Sequence, residues 1–102
     1  MEPLSRVTPA TLDVLGALLD ASAPVWGLRL VKATGRPAGS VYPILERLER
    51  AGWVDSSWED DAQRPGPRRR LYRPTPDGAV AARALLASRR PAPSVQTRTV
   101  QP

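Results

Sequence analysis

Fourteen arginines, one lysine, no histidine and no cysteine set the chemistry open to this 102-residue chain. Without thiol or imidazole there is no disulfide, no Cys or His zinc ligand, no cysteine nucleophile and no triad or dyad built on histidine. Asp, Glu, Lys, Tyr and Ser remain, without a paired-carboxylate motif in a pocket-forming context, so neither an enzyme nor a cofactor is expected. What these residues can do is bind anions. A guanidinium stays charged and grips phosphate or a guanine edge through two parallel N–H bonds. Arg64, Arg68, Arg69 and Arg70 stand close together in the chain, and Arg36, Ser40, Tyr42 and Arg47 lie on or just before an apolar-periodic stretch. A GC-rich genome, whose codons favour Arg, Ala, Gly and Pro, accounts for the same arginine bias, and composition leaves the two explanations open.

The charge is unevenly placed. Residues 1–62 hold six basic and nine acidic residues, a net of −3, whereas residues 63–102 hold nine arginines and one aspartate, a net of +8. A slightly acidic body therefore carries a strongly basic end, which points first to nucleic acid and second to an anionic membrane surface. The longest apolar stretches, such as Val14-Leu15-Gly16-Ala17-Leu18-Leu19, fall well short of the roughly 20 residues that span a bilayer. Residues 1–20 also lack the basic start, apolar run and cleavage site of a secretory signal. A cytoplasmic, nucleoid-associated protein without a membrane span is expected.

The elements that must position these groups are marked by proline and glycine, of which the chain has 12 and 7. Residues 1–7 read as a lead-in. Thr8-Pro9 caps and opens a first helix over residues 9–20, with Leu12, Leu15, Leu18 and Leu19 as its buried stripe. Ser22-Ala23-Pro24 breaks it. A second helix covers residues 25–34, Trp26, Leu30 and Val31 on one side and Arg29 and Lys32 on the other, and Gly35 is placed to end it in a left-handed cap. After a tight turn, a third helix begins at Ser40 with Val41, Ile44, Leu45 and Leu48 inward; Pro43, which lacks an amide, belongs near its start. Ala51-Gly52 ends it. Residues 53–59 and 68–73 then alternate as two strands of a hairpin around a charged, Pro/Gly-rich tip. Thr75-Pro76 opens a fourth helix over residues 76–88, with Val80, Leu85 and Leu86 apolar, which Pro91 and Pro93 stop. The expected organisation is a lead-in (1–7), a domain (8–90) and a disordered tail (91–102).

Helix, helix, tight turn, helix and then a basic hairpin is the order of a winged helix-turn-helix: a mainly α fold with a small β-hairpin. Its third helix must bury one side while its start and outer side enter a major groove. The run Gly39-Ser40-Val41-Tyr42-Pro43-Ile44-Leu45-Glu46-Arg47-Leu48-Glu49-Arg50-Ala51-Gly52-Trp53-Val54 resembles the recognition-helix signature of the PadR family of bacterial transcription regulators. Trp26-Gly27 resembles the start of that family's second helix, and Arg68-Arg69-Arg70-Leu71-Tyr72 with Thr75-x-x-Gly78 resembles its wing and the turn beyond. The resemblance covers residues 8–87. It implies that Ser40 and Tyr42 meet the backbone of double-stranded DNA, that the start of the third helix faces the groove, that Arg68, Arg69 and Arg70 act as the wing, and that a homodimer represses by covering a pseudo-palindromic operator.

Two positions depart from the family pattern. Pro74 stands where an apolar residue is usual, which leaves the end of the second strand open. Pro91 cuts off the longer C-terminal helical region that many members use to dimerise, so the dimer surface is expected on the first and fourth helices. Plainer readings stand beside these. Arg47 and Arg50 also fit the solvated side of an amphipathic helix, with Arg50 paired to Glu46; Tyr42 also fits a partly buried core tyrosine. Trp26, Trp53 and Trp58 read as core or hairpin packing, or, for Trp26 or Trp58, as the wall of a flat aromatic ligand site at a dimer interface that would take a small-molecule inducer. The alternative function is a winged-helix module that binds another protein without sequence-specific DNA binding.

Overall fold

Thr8 opens the first helix as its side chain demands: Oγ1 accepts the amide of Thr11 at 3.2 Å, and Pro9 follows at a position with no amide to lose. In the computed structural model, which describes residues 1–61 and 63–89, this helix is α1 (Pro9–Asp20). It is followed by β1 (Val25–Trp26), α2 (Gly27–Thr34), α3 (Ala38–Arg50), β2 (Val54–Trp58), β3 (Arg70–Pro74) and α4 (Pro76–Arg89). The architecture is a winged helix-turn-helix. Gly35 closes α2 at φ 69°, its amide bonded to the Val31 carbonyl at 3.1 Å, in the left-handed conformation that glycine adopts without strain.

Several boundaries differ from the sequence expectation. Val25 and Trp26 are not helical but pair antiparallel with Tyr72 and Leu71, so the hairpin is a three-stranded sheet of order β1-β3-β2. Two residues carry no readable period, and what recruits them is the free edge of β3. The second hairpin strand is Arg70–Pro74 rather than 68–73, and Pro74 pairs with Val54 at the end of the ladder, beyond the reach of β1, where a missing amide costs little. α3 starts two residues before Ser40, leaving Pro43 in its second turn. The carbonyl that Pro43 cannot bond belongs to Gly39, which is exposed and can turn to water. α4 includes Arg89, and the expected tail at 91–102 lies outside the described residues.

The core gathers one stripe from each helix. α1 buries Thr11, Val14, Leu15 and Leu18, α2 buries Leu30, and α3 buries Val41, Ile44, Leu45 and Leu48. Val25, Trp53, Val54 and Ala82 close it from the sheet and α4. The α1 stripe is rotated from the expected one: Val14 replaces Leu12 and Leu19, which lie half-buried on its flanks. Of the apolar residues of α4, Val80 is 67% exposed, and the small Ala82 takes the inward position. Each fully buried aliphatic side chain contributes about 1.5–3 kcal/mol, so this shared core, to which α3 gives four residues, fixes the pose of α3.

Residues 1–7 are more than a lead-in. The Glu2 amide donates to the Ala51 carbonyl at 2.8 Å, its carbonyl accepts the Trp53 indole N–H at 2.6 Å, and Leu4 packs on the core. This segment straps the end of α3 to the start of β2. Among the described residues no helix is long and apolar enough to cross a membrane.

Candidate nucleic-acid interface

At 100° per residue, the buried Val41, Ile44, Leu45 and Leu48 define one side of α3, and Gly39, Pro43, Glu46 and Arg50 form the opposite, outward crest. Ser40 and Arg47 lie on one flank and Tyr42 and Glu49 on the other. The residues singled out from sequence thus straddle the crest rather than form it. The crest itself begins with Gly39 and Pro43, whose small profile leaves the helix backbone uncovered there. It was missed because neither residue carries a charge or a hydrogen-bonding side chain.

Tyr42 is 40% exposed and its ring lies across the start of α2. A Cβ built on Gly27 would stand 2.6 Å from its Cε1 and 3.1 Å from its hydroxyl oxygen, which is why glycine follows Trp26. Arg36, in the turn before α3, is held by α1: its Nε and Nη2 lie 3.0 and 2.9 Å from the same Asp13 oxygen. Its amide donates to Thr34 Oγ1 at 3.2 Å, so the turn between α2 and α3 is fixed at two points. Arg47 and Arg50 are exposed and, with Arg6 of the strap, line one hollow. Arg6 had no signal in the sequence, because nothing in an unpatterned N-terminal stretch indicates that it folds back beside α3. Arg50 also stands 3.9 Å from Glu46, an exposed pair of little energetic weight.

The wing arginines divide by partner. Arg64 is taken up internally: its Nε donates to Glu59 Oε1 at 2.6 Å, and its terminal nitrogens donate to the carbonyls of Pro65 and Pro67. This clasp, with Gly66 at φ 93°, folds the tip. The Arg64 bond is the main cause that holds the Glu59 carboxyl below its usual range, and the Arg69 amide adds to it. Arg70 stands 3.7 Å from Glu49 of α3 and 4.9 Å from the centre of the Trp58 ring, while Glu49 also accepts from Ser56 Oγ. Glu49 therefore ties the recognition helix to both strands of the wing. Burial pushes the neighbouring Tyr72 phenol up, with Arg70 pulling the other way. Arg69 turns to the opposite face and lies over Trp26, 3.9 Å from the ring centre. Arg68 is exposed and enters no ion pair among the described residues.

Of the two tryptophans considered for ligand or interface roles, Trp58 is 56% exposed and Trp26 is half-buried beneath Arg69. Thr75 sets the junction beyond the wing. Its amide donates to the Trp53 carbonyl at 3.0 Å, its hydroxyl donates to the Gly52 carbonyl at 2.8 Å, and it accepts the Gly78 amide at 2.9 Å. Gly78 is required there, since a Cβ would lie 2.0 Å from the Trp53 oxygen.

Solved structures share this fold. A protein from Ralstonia eutropha JMP134 is 26% identical, with a TM-score of 0.61 over 78% of this chain and 98% of its own. A PadR-like transcription factor from Bacteroides fragilis is 24% identical, with a TM-score of 0.61 over 76% of this chain and 77% of its own. The PcaV transcriptional regulator from Streptomyces coelicolor, solved with its natural ligand, is 23% identical, with a TM-score of 0.66 over 83% of this chain and 58% of its own. No curated protein matches by sequence. The profile of the transcriptional regulator PadR-like family matches residues 14–84, from α1 through the wing and into α4. On the strength of that match, and of the recognition helix and wing it spans, the chain belongs to the PadR-like family of transcriptional regulators.

Proposed function

We propose that the chain is a sequence-specific DNA-binding regulator that represses transcription by covering a pseudo-palindromic operator as a homodimer on the nucleoid. The observation that carries this reading is α3: one stripe is fully buried, while the crest of Gly39 and Pro43 is bare and flanked by Ser40, Arg47 and Tyr42. A helix so presented fits a major groove, with its start toward the bases. Arg68, exposed just before β3, supplies charge that enters no ion pair among the described residues and is suited to phosphate. Arg36, Arg64 and Arg70 serve the same interface by fixing the turn, the wing tip and the wing base.

The dimer is assigned to α1 and α4. Leu19 and Leu86 are half-buried along a shallow hollow between these helices, which also includes Gly16, and Val80 stands exposed on α4. A second copy would cover these apolar residues together with Asp20 and Arg83, which line the same hollow. Trp58 is the aromatic most open to a flat inducer, and the shared fold of the ligand-bound PcaV regulator supports such a ligand.

Selection of bound DNA from a random pool, followed by fluorescence-anisotropy titration, tests the reading. The expected product is a pseudo-palindrome with half-sites about one helical turn apart, roughly 34–36 Å, bound at least 100-fold more tightly than scrambled DNA. Equal affinity for selected and scrambled duplexes at moderate salt would sink it. Leu86→Glu should shift sedimentation from dimer to monomer; a wild-type chain that sediments as a monomer, both free and on the operator, removes the dimer.

A further inference from the structure

A second cationic cluster lies on the face of the sheet opposite to that on which Arg70 meets Glu49. Trp26 and Leu71 are cross-strand partners there, and the two-residue alternation puts Arg69 on their side. Trp26, Leu28, Arg29, Lys32 and Arg69 line a shallow hollow of about 190 Å³. Its lining contains three cations and no carboxylate. None of the three enters an ion pair among the described residues, although Asp13, Glu46, Glu49 and Glu59 all pair with other arginines.

The Arg69 guanidinium is held over the Trp26 ring at 3.9 Å, which fixes its plane but satisfies none of its N–H groups. Its Nε–H is buried without an acceptor, the one buried side-chain polar atom so left among the described residues. A buried cationic donor without a partner is costly and marks a place where an anion or water belongs. Like charges gathered around one hollow repel one another, and an anion between them removes that cost too. Three cations around one hollow suit a phosphate group, whose tetrahedral oxygens can accept from several donors at once, better than a planar carboxylate. The hollow equals the volume of about six waters at ~30 Å³ each, which admits one tetrahedral oxyanion.

We propose that this hollow is a phosphate-binding site, in which Arg69, oriented by Trp26, presents its guanidinium to a phosphate oxygen while Arg29 and Lys32 neutralise the remaining charge. The phosphate belongs either to a DNA backbone that runs past the sheet or to a free phosphate species. The site rests on the geometry around Arg69 and stands whether or not the chain reads an operator.

Two measurements on the full chain decide it and separate the sources. In the first, inorganic phosphate is titrated into ¹⁵N-labelled protein at fixed ionic strength, with chloride as control, while the Arg69 Nε–H and Trp26 indole signals are followed. In the second, DNA affinity is measured against salt for wild type and for the Arg29→Ala/Lys32→Ala double variant, whose side chains are exposed and whose melting should be unchanged. A saturable phosphate-specific shift, weakened at least tenfold in the double variant, supports the site. A salt slope less negative by about one unit in that variant assigns the phosphate to DNA; a phosphate response with an unchanged slope assigns it to a free species. No phosphate response together with an unchanged slope overturns the proposal, as does a response that survives the double substitution. If wild type binds no DNA, the operator reading falls and the titration alone decides the site.

Discussion

Two glycine-to-alanine substitutions, identical in chemistry, should have opposite consequences. In Gly78→Ala the new Cβ would lie 2.0 Å from the Trp53 carbonyl oxygen and 2.6 Å from its carbon, both backbone atoms. The start of α4 must then move away from β2, which breaks the 3.0 Å bond from the Thr75 amide to Trp53 and the 2.9 Å cap from the Gly78 amide to Thr75 Oγ1. A net hydrogen bond is worth about 0.5–1.5 kcal/mol, a lost cap about 1 and local overpacking about 1–3. The sum is about 2.5–5.5 kcal/mol, a large part of the roughly 5–15 kcal/mol that holds a domain. At about 4–8 °C per kcal/mol in a small domain, the melting temperature should fall by at least ~10 °C. In Gly27→Ala the Cβ meets the far end of a flexible side chain, Tyr42 Cε1 at 2.6 Å. The ring can swing outward, so the stability change should stay within about 1 kcal/mol. The cost appears at the interface, because a Tyr42 hydroxyl bond to a charged phosphate is worth about 1.5–3 kcal/mol, or roughly a tenfold or greater loss of affinity. Thermal melts at 222 nm and anisotropy titrations on the selected operator measure the two effects. The reasoning is refuted if Gly27→Ala melts as early as Gly78→Ala, or if it binds the operator like wild type.

The wing offers further tests. Arg68→Ala should make the salt slope of DNA binding less negative by about one unit, and Arg70→Ala should change it by less than half as much because Glu49 already neutralises that charge; equal effects would contradict the division of the wing arginines. Since the folded-state pKa of Glu59 is depressed, chiefly by Arg64, its contribution is complete above the ordinary carboxylate range and is lost as pH falls through the lowered value. Hydrogen exchange at the Arg69 amide, corrected for intrinsic rates, should therefore accelerate on acidification through that window, and Glu59→Gln should flatten the response; a pH-independent wing in wild type would contradict this. Trp53→Phe removes the donor to the Glu2 carbonyl and should cost about 1 kcal/mol. It should also speed exchange of the Glu2 amide, and unchanged protection there would show that the strap does not depend on the indole.

What was legible in the sequence was whatever depends on local rules. The first helix runs from Pro9 to Asp20 as the Thr-Pro start and the Pro24 break dictate, and Gly35 and Gly52 fall at their turns with positive φ. The PadR-like signature around Tyr42-Pro43 located the recognition helix. The features that escaped depend on what approaches a segment in space. Nothing in Val25-Trp26 announces a strand until β3 lies beside it, and nothing in Glu2 announces an acceptor until Trp53 arrives. Among the candidate interface residues, side-chain type found the arginines but not their commitments. That Arg64 folds the tip, Arg70 faces Glu49 and Arg69 turns to Trp26 follows from strand alternation and from carboxylates distant in sequence. Leu12 misled for a related reason, since a helix with apolar residues on more than one side leaves its rotation to packing.

The Thr75 junction carries a mechanical consequence. One side chain and its amide join the last residues after the recognition helix, Gly52 and Trp53, to the first turn of α4, and Gly78 lets the two backbones touch. There is no slack between them. In a dimer joined through α4, the two recognition helices would then behave like the jaws of a calliper with a welded joint, their separation set by this junction and by the packing of α4 on the core rather than by a linker. Spacing preference on DNA would be a property of the joint: a substitution there that left the fold intact would change which half-site separation is read while leaving the bases read within each half-site the same.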